Sequence, residues 1–225
     1  MEERLSISQK IYLLGIHPKK GGIISAAYST MDYVLLGTLF LELYLNKNIV
    51  FENKRIMIKS DKSEEPLHRF LIQKLERSKR NLKISRWMNK LYFSLKFIRG
   101  EIQQELVDKR IIKMRRRRFL IFRWNTPVIV DRQAGYHLVS EVENSIFKGT
   151  ENQEEIMLLS FIQPAGLLKR IFPEKEKRRQ AVRHIKNINV ENQVSVAVAE
   201  AISAAKAVIS SVAAASAAAT AATSS

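Results

Sequence analysis

The distribution of apolar residues along the chain predicts a succession of helices. From Met31 to Leu45 the sequence is apolar nearly all round, which is typical of a helix packed on every side by other helices. We therefore predict that this segment is the most buried helix and the centre of the fold. A shorter apolar helix before it is expected to stop at Gly15, ahead of Pro18 and the Gly21-Gly22 pair.

Later segments repeat helical spacing with basic residues on the opposite face. The predicted helices lie at residues 67–75, 84–91, 95–107, 135–147, 154–162 and 174–188, with an Ala-rich helix from Gln193 onward. Alternating apolar residues at 49–51 and 55–58 predict a small hairpin. The expected fold is mostly α, a compact helical domain around a central buried helix bundle, with one or two small β-hairpins.

No internal repeat or Pro- or Gly-rich linker divides the 225 residues, so we expect one domain at 1–219 and a frayed Ala/Thr/Ser tail at 220–225. The absence of cysteine excludes disulfides and a thiol nucleophile and fits a cytoplasmic location. The first residues do not resemble a secretory signal. The uncharged stretch after Lys206 is built of Ala, Ser and Thr, so we do not predict a membrane span there.

The charge of the chain points to a polyanionic partner. Lys and Arg number 38 against 22 Asp and Glu, a net charge of +16. Seven of the ten residues at 109–118 are basic, and the apolar stretch at 119–124 follows directly. Two β-prone runs around this basic segment predict a second hairpin with a basic tip. An alternative interpretation is that Phe119, Ile121 and Trp124 are ordinary core residues. The burial of this strand distinguishes a core strand from an exposed hairpin.

Catalytic motifs are missing from the sequence. The four histidines lie far apart, and we expect none of them to have a second ligand three or four residues away, so we predict no metal site. Adjacent glutamates at 2–3, 64–65 and 154–155 point in different directions on a helix and do not form a catalytic pair. Neither a Gly-rich phosphate loop nor a Gly-x-Ser-x-Gly turn occurs. We therefore expect a protein that is not an enzyme and that uses no cofactor.

Four segments, in their order and spacing, resemble the Golgi phosphoprotein 3 family. They are LSISQKIYLLG at 5–15, LGTLFLELYL at 36–45, ELVDKRII at 105–112 and FLIF at 119–122. The resemblance implies a mostly helical domain with an apolar β-hairpin that inserts into the membrane beside a pocket for phosphatidylinositol 4-phosphate. Eukaryotic members act on the cytosolic face of the Golgi and bind the cytosolic tails of glycosyltransferases, and relatives of unknown role occur in bacteria.

The resemblance also suggests which residues bind the lipid headgroup. The family holds it with two arginines three residues apart on the helix before the hairpin, which correspond here to Lys96 and Arg99. A tryptophan and an arginine near the start of the central helix complete the pocket, but Ala27 and Leu36 occupy those positions. These two differences remove a stacking face and a bidentate phosphate partner, so we expect weaker discrimination among anionic headgroups.

The expected function is that of a peripheral membrane or adaptor protein on anionic phospholipid, with phosphatidylinositol 4-phosphate as one candidate lipid. The headgroup would bind Lys96 and Arg99, and the membrane-facing hairpin would contribute Arg115, Arg116, Arg117, Arg118, Phe122 and Trp124. Two alternatives use the same basic patch: binding of nucleic acid, and binding of acidic protein tails by a scaffold. A solvated helix face explains Lys96 and Arg99 equally well.

Overall fold

The computed structural model describes residues 4–78, 80–191 and 195–223. Within these ranges the chain is mostly helical, as predicted, with two small antiparallel sheets. The helices are α1 (Ile7–Gly15), α2 (Met31–Leu45), α3 (Pro66–Glu76), α4 (Ile84–Lys90), α5 (Leu95–Asp108), α6 (Arg132–Lys148), α7 (Gln153–Ile162), α8 (Leu168–Ile171), α9 (Lys175–Glu191) and α10 (Val196–Thr223). Short 3-10 turns lie at Ser25–Ala27 and Tyr92–Ser94.

Helix α2 has the predicted bounds, and Leu36, Leu39, Phe40 and Leu43 are buried in it as expected. The prediction that α2 is the most buried helix is nevertheless wrong, because all nine residues of α1 are buried while the last two residues of α2 are half-buried. Helix α1 lies against α2, α5, α6 and α7, so it has no free face even though its sequence contains polar residues.

Burial of the polar residues in α1 is possible because each finds a partner. The backbone N–H of Ser8 donates to Glu42 Oε1 at 2.6 Å, and Lys10 Nζ donates to Glu141 Oε1 at 2.9 Å. Gln9 Nε2 donates to Glu105 Oε2 at 2.7 Å. A buried polar group that is paired in this way avoids most of its desolvation penalty.

The first hairpin joins β1 (Ile49–Glu52) to β2 (Arg55–Ile58), as predicted. The two residues of its turn, Asn53 and Lys54, have positive φ angles of 51° and 62°. Two-residue turns of this kind match the twist of the strands that they connect. Three of its apolar residues, Ile49, Phe51 and Ile56, are buried in the core.

The second hairpin joins β3 (Ile112–Phe119) to β4 (Phe122–Ile129), with Phe119 paired to Phe122. The prediction of a basic tip is wrong, because Arg115–Arg118 lie within β3 and the turn is Leu120–Ile121. A run of four arginines is typical of a solvated loop, but here these residues are extended and pair with residues 123–126. Several positively charged side chains are tolerated in one strand when both faces of that strand are exposed to solvent.

Contacts between helices define two ends of the bundle. Arg99 near the start of α5 contacts Asp32 at the start of α2, and a Cβ atom on Gly15 at the end of α1 would collide with Met31. Helix α1 is therefore antiparallel to α2 and α5. We call the end that holds Gly15, Met31 and Leu95 the hairpin end, because the second hairpin contacts the loop that follows Gly15 there.

Helix α10 runs from the core into solvent. Its first half contributes the buried residues Val198, Ile202 and Ile209, and its second half is a mostly exposed run of Ala, Ser and Thr. The helix continues through Thr223, four residues into the segment predicted to be frayed, and residues 224–225 lie outside the described ranges. By length and composition alone, Val196–Ala222 would be sufficient to span a membrane, with a mean hydropathy of 1.6.

Candidate functional site

The tip of the second hairpin is an exposed apolar surface. Phe119, Leu120, Ile121 and Phe122 are between 65% and 84% exposed, and Trp124 is 49% exposed. The interpretation of Phe119, Ile121 and Trp124 as core residues is therefore wrong. Single exposed apolar residues are ordinary, but a contiguous group of large ones marks an interaction site.

The turn at this tip uses an unusual residue. Leu120 has a φ angle of +52°, in the left-handed region that favours Gly, Asn or Asp. A left-handed conformation at a residue with a Cβ carries a cost of order 1 kcal/mol. Because Leu120 is 72% exposed, burial within this chain does not offset that cost. Leu120 is not among the predicted site residues, although two apolar residues between two β-prone runs were a usable signal.

The loop after α1 holds the base of the hairpin. The backbone N–H of Gly22 donates to the carbonyl of Pro127 at 2.8 Å. Gly21 has a φ angle of +74°, and a Cβ atom there would collide with the same carbonyl and with Val128. Glycine is required at this position for both reasons. The base of the hairpin is thus fixed to the body, and the tip projects past this loop.

The arginines of β3 form a basic collar behind the apolar tip. Arg115 Nη2 and Arg117 Nη2 both donate to the carbonyl of Lys20, at 3.0 and 3.4 Å, and Arg118 Nε donates to the carbonyl of Leu120 at 3.0 Å. Arg116 is exposed on the other face of the strand. Residues 112–129 contain six basic residues and no acidic residue, so no carboxylate within the hairpin neutralises this collar.

The two residues assigned to a lipid headgroup differ in their environments. Arg99 Nη1 lies 3.0 Å from both Oδ1 and Oδ2 of Asp32, so this guanidinium already has an anionic partner. Burial raises the pKa of Asp32, against the opposing effect of Arg99. Lys96 is exposed and lies one turn earlier on the same face of α5. Both residues lie at the hairpin end of the bundle.

The positions that correspond to the other half of the family's pocket do not reach the surface. Ala27 and Leu36 are fully buried. The nearest exposed aromatic residue in sequence is Tyr28, which follows Ala27. Behind the Arg99–Asp32 pair, Gln103 Nε2 donates to the hydroxyl of Tyr12, and burial raises the pKa of Tyr12 to about 12. Tyr12 therefore stays neutral and adds no charge beside the pair.

A second polar cluster, which the sequence analysis missed, joins α2 to α3. His68 Nε2 lies 3.1 Å from Glu42 Oε2, and His68 Nδ1 lies 3.4 Å from Glu65 Oε2. The ligand atoms of the three residues lie within 4.8 Å of one another, a spacing that could hold a metal ion. A protonated imidazole between two carboxylates accounts for the same geometry. The expectation that no histidine has a second ligand three or four residues away is therefore wrong, because Glu65 lies three residues before His68.

Protonation of His68 is favoured by its partners. Burial lowers its pKa, but the hydrogen bond to Glu42 and the charges of Glu42, Glu65 and Glu105 together outweigh burial and raise the pKa. The buried His68–Glu42 pair thus ties α3 to α2, at the end of the bundle opposite the hairpin tip.

The described residues thus form a mostly helical bundle from which one arginine-rich hairpin projects, with an apolar and exposed tip. The family model for Golgi phosphoprotein 3 (GPP34) matches residues 7–205, which is most of the chain. The chain therefore belongs to the Golgi phosphoprotein 3 family, as its sequence segments suggested.

Proposed function

We propose that this protein is a non-enzymatic peripheral membrane or adaptor protein that docks its hairpin end on anionic phospholipid. The observation that carries the proposal is the pairing of an exposed apolar tip, Phe119–Phe122, with the basic collar directly behind it. An apolar segment next to cationic side chains suits the boundary between lipid tails and anionic headgroups. In a eukaryotic cell this would be the cytosolic face of the Golgi, where cytosolic tails of membrane enzymes are candidate partners.

Apolar burial and electrostatic attraction would both contribute to the free energy of membrane binding. Moving a large apolar side chain from water into an apolar environment is worth about 1.5–3 kcal/mol when its burial is complete. Each arginine or lysine near an anionic surface adds about 1 kcal/mol. The tip and the collar together offer several contributions of each kind, which is the combination that gives stable but reversible peripheral binding.

The proposed binding depends on surface charge more than on one headgroup. Arg99 is already paired with Asp32, and Ala27 and Leu36 are buried apolar residues, so of the four pocket positions only Lys96 offers an unpaired cation to a phosphate. Lys96 is left as a single exposed cation, and a lysine binds phosphate as a point charge without bidentate geometry. We therefore expect no strong preference for phosphatidylinositol 4-phosphate over other anionic lipids at equal total charge.

Co-sedimentation with vesicles tests the proposal. Replacement of Arg115, Arg116, Arg117 and Arg118 by Gln should weaken binding to phosphatidylserine vesicles by up to about 4 kcal/mol at low salt. Phe122→Ala or Trp124→Ala should weaken it further without lowering the melting temperature, because both side chains are exposed. Vesicles that carry phosphatidylinositol 4-phosphate at matched total charge test the headgroup expectation.

A DNA-binding assay of the same variants separates the membrane hypothesis from the nucleic-acid hypothesis. A phosphate-binding patch on DNA should respond to loss of the arginines and to salt, and only weakly to loss of the aromatic residues. If the aromatic variants bind vesicles like the parent while the arginine variant loses vesicles and DNA alike, the collar is a general polyanion site and membrane docking is wrong.

A further inference from the structure

A second exposed aromatic element lies at the start of α5. Phe93 is 93% exposed and Tyr92 is 54% exposed, in the 3-10 turn Tyr92–Ser94. The Tyr92 ring packs edge to face on Phe93, with centroids 5.3 Å apart, and lies 6.4 Å from the Tyr33 ring at the start of α2. We call Tyr92 and Phe93 the aromatic turn.

The aromatic turn and the hairpin tip lie at the same end of the bundle. Helix α5 runs from Arg99, which contacts Asp32 at the hairpin end, to Lys109, whose Nζ donates to Gln9 Oε1 at the opposite end. Strand β3 then runs back, since Arg115 and Arg117 reach the carbonyl of Lys20 in the loop that follows α1. The aromatic turn and the hairpin tip therefore lie at the same end as the loop that follows α1.

The lengths of α5 and β3 indicate that the aromatic turn and the hairpin tip extend about equally far along the bundle. At about 1.5 Å per residue, the 14 residues of α5 span about 21 Å. At about 3.3 Å per residue, the 8 residues of β3 span about 26 Å. A strand that follows α5 after a three-residue connection and returns beside it therefore brings its tip to, or slightly beyond, the level of the aromatic turn.

The charges around the aromatic turn suit an anionic surface. Lys96 is exposed one turn into α5, and Lys19 and Lys20 are exposed on the loop that holds the hairpin. Asp32, the carboxylate at the start of α2, is paired with Arg99 and so contributes little net negative charge. Tyrosine and phenylalanine beside lysines are the side chains expected where a protein meets lipid headgroups.

We propose that the aromatic turn is a second membrane anchor, which enters an anionic phospholipid leaflet together with the hairpin tip. The inference rests on the proposed docking of the hairpin end and adds to it a second contact point. Two separated contacts fix the orientation of the bundle on the leaflet, with α5 steeply inclined to the membrane plane, whereas a single hairpin would leave the body free to pivot.

Environment-sensitive labels test the proposal directly, because the chain contains no native cysteine. Phe93→Cys, Ile121→Cys and Tyr136→Cys each accept one nitrobenzoxadiazole fluorophore. Tyr136 is the matched control, since it is 69% exposed on α6 and borders a cleft with Arg4 and Lys109 at the opposite end. When phosphatidylcholine vesicles that contain phosphatidylserine are added, the fluorescence emission of the labels at 93 and 121 should shift to shorter wavelength. The emission of the label at 136 should not shift.

Binding measurements provide the second test. Phe93→Asp should weaken co-sedimentation with the same vesicles about tenfold, the effect expected from withdrawing one partly inserted aromatic side chain. Tyr136→Asp should leave binding unchanged. Both side chains are exposed, so neither variant should lower the melting temperature by more than a few degrees.

The possible failures are distinguishable. If the label at 121 responds to vesicles and the label at 93 does not, the second anchor is wrong and hairpin docking stands. If neither label responds and the parent protein does not sediment with vesicles, both proposals are wrong. If the label at 93 shifts without vesicles as the protein concentration rises, a second copy of this chain covers the aromatic turn, and the membrane assignment of that turn is overturned.

Discussion

The two β-hairpins of this protein share a construction and differ in where their apolar residues lie. Each is an antiparallel pair closed by a two-residue turn. In the first, the turn Asn53–Lys54 is polar and exposed, and Phe51 and Ile56 are buried. In the second, the base is buried through Ile112 and Ile129, and the turn Leu120–Ile121 is apolar and exposed. The two hairpins therefore place their apolar area in opposite positions relative to the core.

This difference separates residues that stabilise the fold from residues that are available to a partner. The apolar side chains of the first hairpin lower the free energy of folding because they leave water when the chain folds. The side chains at the tip of the second stay in water, and Leu120 adds a strained φ angle. Their apolar area does not contribute to the free energy of folding, and it can contribute to a free energy of binding when another surface covers it. The proposed function is therefore assigned to the tip.

The largest expected effect is on stability and contrasts two phenylalanines. Phe51 is 4% exposed and stacks on Tyr44, with ring centroids 5.6 Å apart. Phe51→Ala should lower the free energy of unfolding by about 3–5 kcal/mol, from lost burial and the cavity that remains. Phe122→Ala should change it by no more than about 0.5 kcal/mol. Urea unfolding measures both, and a similar loss in Phe122→Ala would mean that the tip is packed in solution.

A smaller effect is expected from the ion pair beside the hairpin. Asp32→Asn should release the Arg99 guanidinium and strengthen binding to anionic vesicles by about 1 kcal/mol at low salt. Arg99→Gln should change vesicle binding less than Lys96→Gln, because Lys96 is exposed and Arg99 is already paired. Co-sedimentation checks all three variants. An equal loss in Arg99→Gln and Lys96→Gln would show that the pair opens at the membrane and that Arg99 meets a headgroup.

The smallest effect concerns pH and again separates the two hairpins. Helix α3, which packs on β2, contains His68, whose folded-state pKa is raised above the ordinary value of about 6.5. The stability from protonated His68 is therefore fully present below pH about 6.5 and is lost as pH rises through the folded pKa. His68→Gln should remove this dependence in melting experiments. Vesicle binding through arginines should stay flat over the same range, because arginine remains charged.

Much of the fold could be predicted from local sequence. Helix α2 has the predicted bounds, α1 ends at Gly15 as expected, and α3 begins at Pro66. Apolar periodicity, helix-stopping glycine and helix-starting proline act over a few residues, so they are visible without knowledge of the rest of the chain. The net charge and the apolar segment next to the arginine run were equally available, and they pointed to the second hairpin.

The tertiary structure alone decided how those segments are used. Whether Phe119–Phe122 belonged to the core or to the surface depended on where the hairpin leaves the body, which the Gly22–Pro127 hydrogen bond helps to fix. The pairing of Arg99 with Asp32 joins residues 67 positions apart, and the pairing of His68 with Glu42 joins residues 26 positions apart. Such partners are chosen by helix packing, because burial leaves a charged group few ways to be satisfied, and local patterns carry no information about which distant residue will be near.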